Sequence, residues 1–198
     1  MRQRPSEQRA LELLKQHFQE YNGLVSSEKP DLIDRDKSIG VEVTSALNPK
    51  VEEREVYFYK EMKGKHKSSF TAQEIETVEQ HGLKIVSCAG FNGTCEEKML
   101  GLVRVFGTEE LDQLHTAIRN KYKKEYERVD RLDLYIFFRQ ICAEGISDFE
   151  IIRLFETAHK CEEKYGAVFQ KIMIDFYEVL LVMDVQRNST EKITDYIK

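Results

Sequence analysis

The chain has 198 residues, enough to bury a real core within one domain. A hydrophobic share of 41% and a charged share of 33% exclude disordered, collagen-like and membrane-embedded classes without selecting a function. With a net charge of -5 and a pI near 5.7, the surface as a whole is not built to hold nucleic acid. Any such contact must rest on local basic patches.

Residues 6–21 are predicted to form a helix, with Ser6 as its cap after Pro5 and Asn22-Gly23 as its end. Ala10, Leu14, Phe18 and Tyr21 recur at helical spacing, and Glu7 and Glu12 lie in the same segment. A short strand at Leu24-Val25 is followed by strands at Pro30–Asp34 and Ile39–Ala46, with turn residues Asp34 to Ser38 between them. Helices are expected over 50–63 and 71–81, then a strand over 83–89 and a segment, 90–107, with no clear pattern. A long helix over 109–128 carries Leu111, Leu114, Ile118, Tyr122 and Tyr126 along one side. Residues 132–138 read as a strand, 148–164 as a helix capped by Ser147, and 168–186 as one or two strands. Strands interleaved with helices predict an α/β or α+β sheet with helices packed on it, taken as a single domain over 1–198.

Strand alternation orients the chemistry. Ile39, Val41 and Val43 share one face of their strand, which belongs in a core, so Glu42 and Thr44 point to the other. In a suitable hairpin register Asp31 and Glu42 converge. Two carboxylates so placed repel unless a cation lies between them. A hard ion such as Mg²⁺ takes oxygen ligands and keeps water and substrate phosphate in its shell, so it can activate a water and stabilise charge on a phosphodiester.

A helix carboxylate, Pro30-Asp31, ten intervening residues and Glu42-Val43-Thr44 closing an Ile-Gly-Val-Glu-Val strand together resemble the PD-(D/E)xK nuclease superfamily. The resemblance covers about the first 47 residues. It implies a restriction-endonuclease-like fold, a mixed sheet flanked by helices with an αβββαβ core. It also implies Asp31 and Glu42 as metal ligands for Mg²⁺ or Mn²⁺, and Glu12, ahead of Glu7, as a helix carboxylate beside the metal. The implied activity is hydrolysis of phosphodiester bonds, with DNA as the nucleic-acid partner, no membrane partner, and a homodimer in keeping with many proteins of that fold. Thr44 stands where the family has the lysine that positions and activates the attacking water. A lysine moved in from elsewhere would restore the function, and Lys121 is preferred to Lys60. Without one, the resemblance implies an inactive nuclease-like protein that binds nucleic acid or a protein partner.

Other features carry less. The basic runs around Lys60–Lys67 and Arg119–Arg128 are interleaved with glutamates and read first as solvated faces. Cys88, Cys95, Cys142 and Cys161 form no Cys-x-x-Cys pair, which argues for reduced structural thiols. The five histidines are scattered, with His17 and His115 among apolar helix neighbours. The first residues, Met1 to Glu7, lack the apolar stretch of a secretory signal, so a cytoplasmic protein is expected.

Overall fold

Pro5 opens helix α1 (Pro5–His17), where its missing N–H costs nothing and its fixed φ is already helical. The carboxylate of Glu7, not Ser6, closes this end by accepting from the backbone N–H of Arg4 at 3.0 Å. A single 3-10 turn, Gln19–Tyr21, follows. In the computed structural model the described residues are 4–46, 49–63, 65–79, 83–89, 98–104, 108–138, 146–176 and 179–194. They divide into two compact units, Met1–Ala46 with Leu111–Lys198, and Leu47–Glu110.

The first unit is built on a mixed sheet of seven strands. These are β1 (Val25–Ser26), β2 (Leu32–Ile33), β3 (Ile39–Ser45), β6 (Arg131–Phe137), β7 (Lys171–Asp175), β8 (Val179–Asp184) and β9 (Ser189–Thr194), neighbours in that order. β3, β6 and β7 run parallel at the centre, and the outer pairs are antiparallel. Parallel neighbours need long crossovers, and helix α5 (Asp148–Tyr165) supplies the one from β6 to β7. The result is an α/β sheet flanked by helices.

Each face has its own helical cover. Val41, Val43, Tyr135, Met173, Leu180 and Val182 pack with Ala10, Leu13 and Leu14 of α1. The alternate residues Leu134, Ile136, Ile172, Ile174, Leu181 and Met183 are buried on the opposite face. That is the face of Glu42, and helix α4 (Thr108–Tyr122) reaches it through a side chain described below. α4 and α5 meet through His115 Nδ1 and Thr157 Oγ1, 2.8 Å apart, and the Tyr122 ring stands edge-on to Phe169 at 5.0 Å.

One charge sits deep in this sheet. Asp133 on β6 is fully buried and accepts from Tyr21 Oη at 2.9 Å and from the Lys171 backbone N–H at 2.9 Å. Arg131 completes the group, 2.8 Å from the same carboxylate. Burial raises the Asp133 pKa, against the pull of Arg131.

The second unit holds α2 (Pro49–Tyr57), a wider π turn at Phe58–Met62, α3 (Ala72–Glu79), and the antiparallel pair β4 (Leu83–Ala89) and β5 (Lys98–Arg104). Phe58, Met62, Val78 and Ile85 form its core. β5 falls in the segment that showed no pattern; residues 90–97 and 105–107 lie outside the described ones, as do His81 and Gly82. No helix among the described residues is long and apolar enough to cross a membrane.

Several boundaries differ from expectation: α1 ends at His17 rather than 21, and β2 is Leu32–Ile33 rather than 30–34. α4 stops at Tyr122 rather than 128, because Tyr126 turns back to donate its hydroxyl to the Lys121 carbonyl at 2.9 Å and lays its ring against Phe169. β9 is a further strand beyond Gln186. Apart from Ile193 its residues are exposed and polar, so pairing with β8, not a buried face, makes it a strand. β1 is Val25–Ser26, one residue later than read.

Gly40 is required by packing. A β-carbon there would lie 2.6 Å from Pro30 Cγ and 3.2 Å from Leu132 Cδ1. Gly40→Ala is expected to cost about 1–3 kcal/mol through overpacking, read as a lower urea midpoint at unchanged slope.

Burial, then Arg153 and Arg119, hold the His115 pKa below its usual 6.5, with Asp112 opposing. The unfolded chain therefore takes the proton more readily, and stability falls as pH drops through and below 6.5. Between about pH 7.5 and about pH 5.5 the wild type should lose more stability than His115→Gln, compared by urea denaturation at each pH. Equal losses would show that another group carries the effect.

Candidate active site

The site forms where the β2–β3 ladder ends. Leu32 pairs with Val41 and Ile33 with Gly40. The ladder ends there: Pro30 lies against Gly40 rather than farther along β3. Asp34 donates its N–H to the Ile39 carbonyl at 3.0 Å, so the backbone groups of 39, 41 and 43 face β2. Val43 has no ladder partner on that side.

Two side chains take over the unmet backbone groups. Asp31 Oδ2 accepts from the Val43 N–H at 2.8 Å. Lys121 Nζ, from the last turn of α4, donates to the Val43 carbonyl at 3.3 Å and to Glu42 Oε1 at 2.6 Å. The end of the ladder thus leaves a carbonyl and a carboxylate facing one ammonium.

The surroundings are dry. Glu42 is 5% exposed, Lys121 8% and Asp31 9%. Burial lowers the Lys121 pKa, while the hydrogen bond and charge of Glu42 and the charge of Asp31 oppose it. Burial raises the Tyr126 hydroxyl pKa, with Glu42 and Asp31 adding to it. Both carboxylates therefore act on the same two groups. Lys124, largely exposed, lies 3.8 Å from Glu42 Oε1.

Asp31 has a second partner, Arg4, whose Nη2 is 2.8 Å from Oδ1. The Arg4 side chain also pairs with Glu7, and it is 61% exposed. Glu7 is therefore the α1 carboxylate joined to the site. Glu12 is exposed and accepts from Gln8 Nε2 at 2.9 Å, with no bond to Asp31 or Glu42. Thr44 lies one alternation beyond Glu42 on the same face and is half-buried. Lys60 is exposed and belongs to the second unit.

The sequence reading missed Arg4 and Tyr126. A single arginine before a helix-opening proline carries no periodic signal. Glu7 had one: with Ala10 and Leu14 it makes the i, i+3, i+7 stripe of a buried face, from which Glu12 is turned away.

Asp31, Glu42 and the Val43 carbonyl offer hard oxygens of the kind that suit Mg²⁺ or Mn²⁺. Among the described residues no group of three or more His, Cys, Asp or Glu side chains gathers closely enough to hold a metal ion. Comparison with protein-family models, curated proteins and solved structures gives no match.

A buried ion pair is costly to break from one side, because the partner left behind keeps an uncompensated charge. Lys121→Met is expected to destabilise the protein by about 3 kcal/mol, and Glu42→Leu/Lys121→Met by less than that. Guanidinium denaturation of the two variants checks this, and a double variant that loses as much as Lys121→Met alone, or more, would contradict it.

Proposed function

We propose that the protein is a divalent-metal-dependent nuclease that hydrolyses phosphodiester bonds in DNA, built on a restriction-endonuclease-like sheet. One observation carries this reading: Lys121, delivered by a helix, donates to Glu42 at 2.6 Å, while Asp31 accepts from the N–H of the next residue, Val43, at 2.8 Å. A lysine and two carboxylates in one buried site match what hydrolysis of a phosphodiester requires.

Asp31 and Glu42 would hold the Mg²⁺ or Mn²⁺, with the Val43 carbonyl beside them. When bound, the ion supplies an activated water and neutralises charge on the phosphate. Lys121 then has two tasks. Its ammonium orients the attacking water by hydrogen bonding, and it offsets the negative charge that grows on the phosphate oxygens. Low water content strengthens both effects. Arg4 occupies Asp31 from an exposed position, so it can leave that carboxylate at little cost. Glu7 stays on Arg4 and holds it close by.

A second reading is favoured by a specific pair of observations. Thr44 is neutral, and each carboxylate already has a cationic partner, Arg4 on Asp31 and Lys121 on Glu42. On that reading the fold binds nucleic acid or a protein partner without cleaving.

Plasmid and linear DNA incubated with Mg²⁺ or Mn²⁺ separate the two. Cleavage by the wild type is expected, with a loss of about a hundredfold or more in Glu42→Gln and in Lys121→Met. Calorimetric titration with Mn²⁺ should show binding that disappears in Asp31→Asn/Glu42→Gln. Absence of cleavage by the wild type would overturn the nuclease reading, as would Mn²⁺ binding unchanged by that double substitution.

A further inference from the structure

On the far side of α4 from Val43's neighbours, a different set of residues shares one face. His115, Arg119 and Lys123 are spaced four apart, and on α5 Arg153, Thr157, Lys160 and Lys164 recur at three and four. Together they line a cavity of about 380 Å³ between the two helices. That is within the size range of small-ligand sites.

Its charge is one-sided. The lining has five cations and one acid, Glu156, which lies 3.8 Å from Lys160. Among the described residues Arg119, Lys123 and Arg153 make no ion pair. The field reaches the floor: Arg153 and Arg119 both depress the buried His115, and Arg119, Lys123 and Lys164 act on the buried Cys161 thiol. Unpaired cations gathered around a concave site build a local positive potential that attracts an anion. Lys123 and Lys164 lie at the C-terminal ends of their helices, where the dipoles offset part of their charge. Arg119 and Arg153 have no such offset, and a guanidinium fork matches phosphate oxygens in pairs.

The size of the cleft decides what kind of anion fits. At about 380 Å³ it suits a compact anion, and on α5 the basic residues are interleaved in sequence with Glu156, Glu162 and Glu163, which gives no continuous basic track for a nucleic-acid strand.

We propose that the cleft between α4 and α5 is a binding site for a compact polyphosphate anion of nucleoside-triphosphate size, held chiefly by Arg119 and Arg153. The site is separate from Asp31, Glu42 and Lys121 in its residues, and the proposal stands whether or not the protein cleaves DNA.

Calorimetric titration of the full chain with ATP and with inorganic tripolyphosphate, without divalent metal, tests it. Tripolyphosphate is expected to bind, and ATP to bind at least as tightly if the nucleoside adds contacts. Arg119→Glu/Arg153→Glu should weaken binding by about tenfold or more, while Arg119→Lys/Arg153→Lys retains most of it. Both pairs are exposed, so circular dichroism should show the variants folded like the wild type. Failure of both probes to bind would overturn the proposal, as would equal binding by the charge-reversed variant. It would also fall if a DNA oligonucleotide displaced both probes through the same two arginines.

Discussion

The bond from Lys121 to Glu42 forms where the β2–β3 ladder has ended and Val43 has no strand partner on that side. The last pair is Leu32 with Val41, and Pro30 then lies against Gly40 instead of continuing along β3. Gly40 lets the proline ring lie against β3, since a side chain there would collide with it. The unmet carbonyl of Val43 then takes a helix ammonium, and the unmet N–H takes Asp31. Backbone groups deep in a protein must be satisfied. That requirement draws both Lys121 and Asp31 to the place where Glu42 points.

Burial turns this local arrangement into a site. An exposed Lys–Glu pair is worth little, but here both side chains are removed from water, so the lysine's charge is held against a desolvation cost. The same low dielectric that depresses the Lys121 pKa strengthens any interaction it makes with a developing negative charge. Asp133 shows the other use of a buried carboxylate in this sheet. It is enclosed by Tyr21, Arg131 and the Lys171 backbone N–H, which spend its acceptor capacity within the fold. Asp31 is instead held partly by Arg4, an exposed side chain.

Much of this could be read from the residues, and the limits have physical causes. Alternation along Ile39 to Ala46 separates Val41 and Val43 from Glu42 and Thr44, because period two is unambiguous in a strand with one apolar set. Lys121 was also accessible: it follows Leu114 and Ile118 at helical spacing, on the flank of the α4 stripe. The end of α4 was not, since no glycine or proline marks it and Tyr126 continues the apolar periodicity while its hydroxyl terminates the helix. β9 carries no pattern because its residues face solvent at the sheet edge. Arg4 escaped for the same reason that single surface charges always do, as its two partners come together only when α1 docks beside the hairpin.

The position of the lysine then has a geometric explanation on the nuclease reading. A residue two places after Glu42 shares its face but is displaced about 6.6 Å along the strand, so a lysine at Thr44 would have to fold back to reach that carboxylate. From α4, Lys121 reaches Glu42 at 2.6 Å. What the chemistry needs is an ammonium at a point in space, and a helix packed over the strand can supply it as well as the strand itself. Threonine at 44 therefore removes a residue from a sequence pattern without removing the charge from the site. A helix-borne lysine also couples the site to the packing of α4, whose other face lines the basic cleft with His115 and Arg119. Any ligand that draws α4 and α5 together there acts on the helix that carries Lys121.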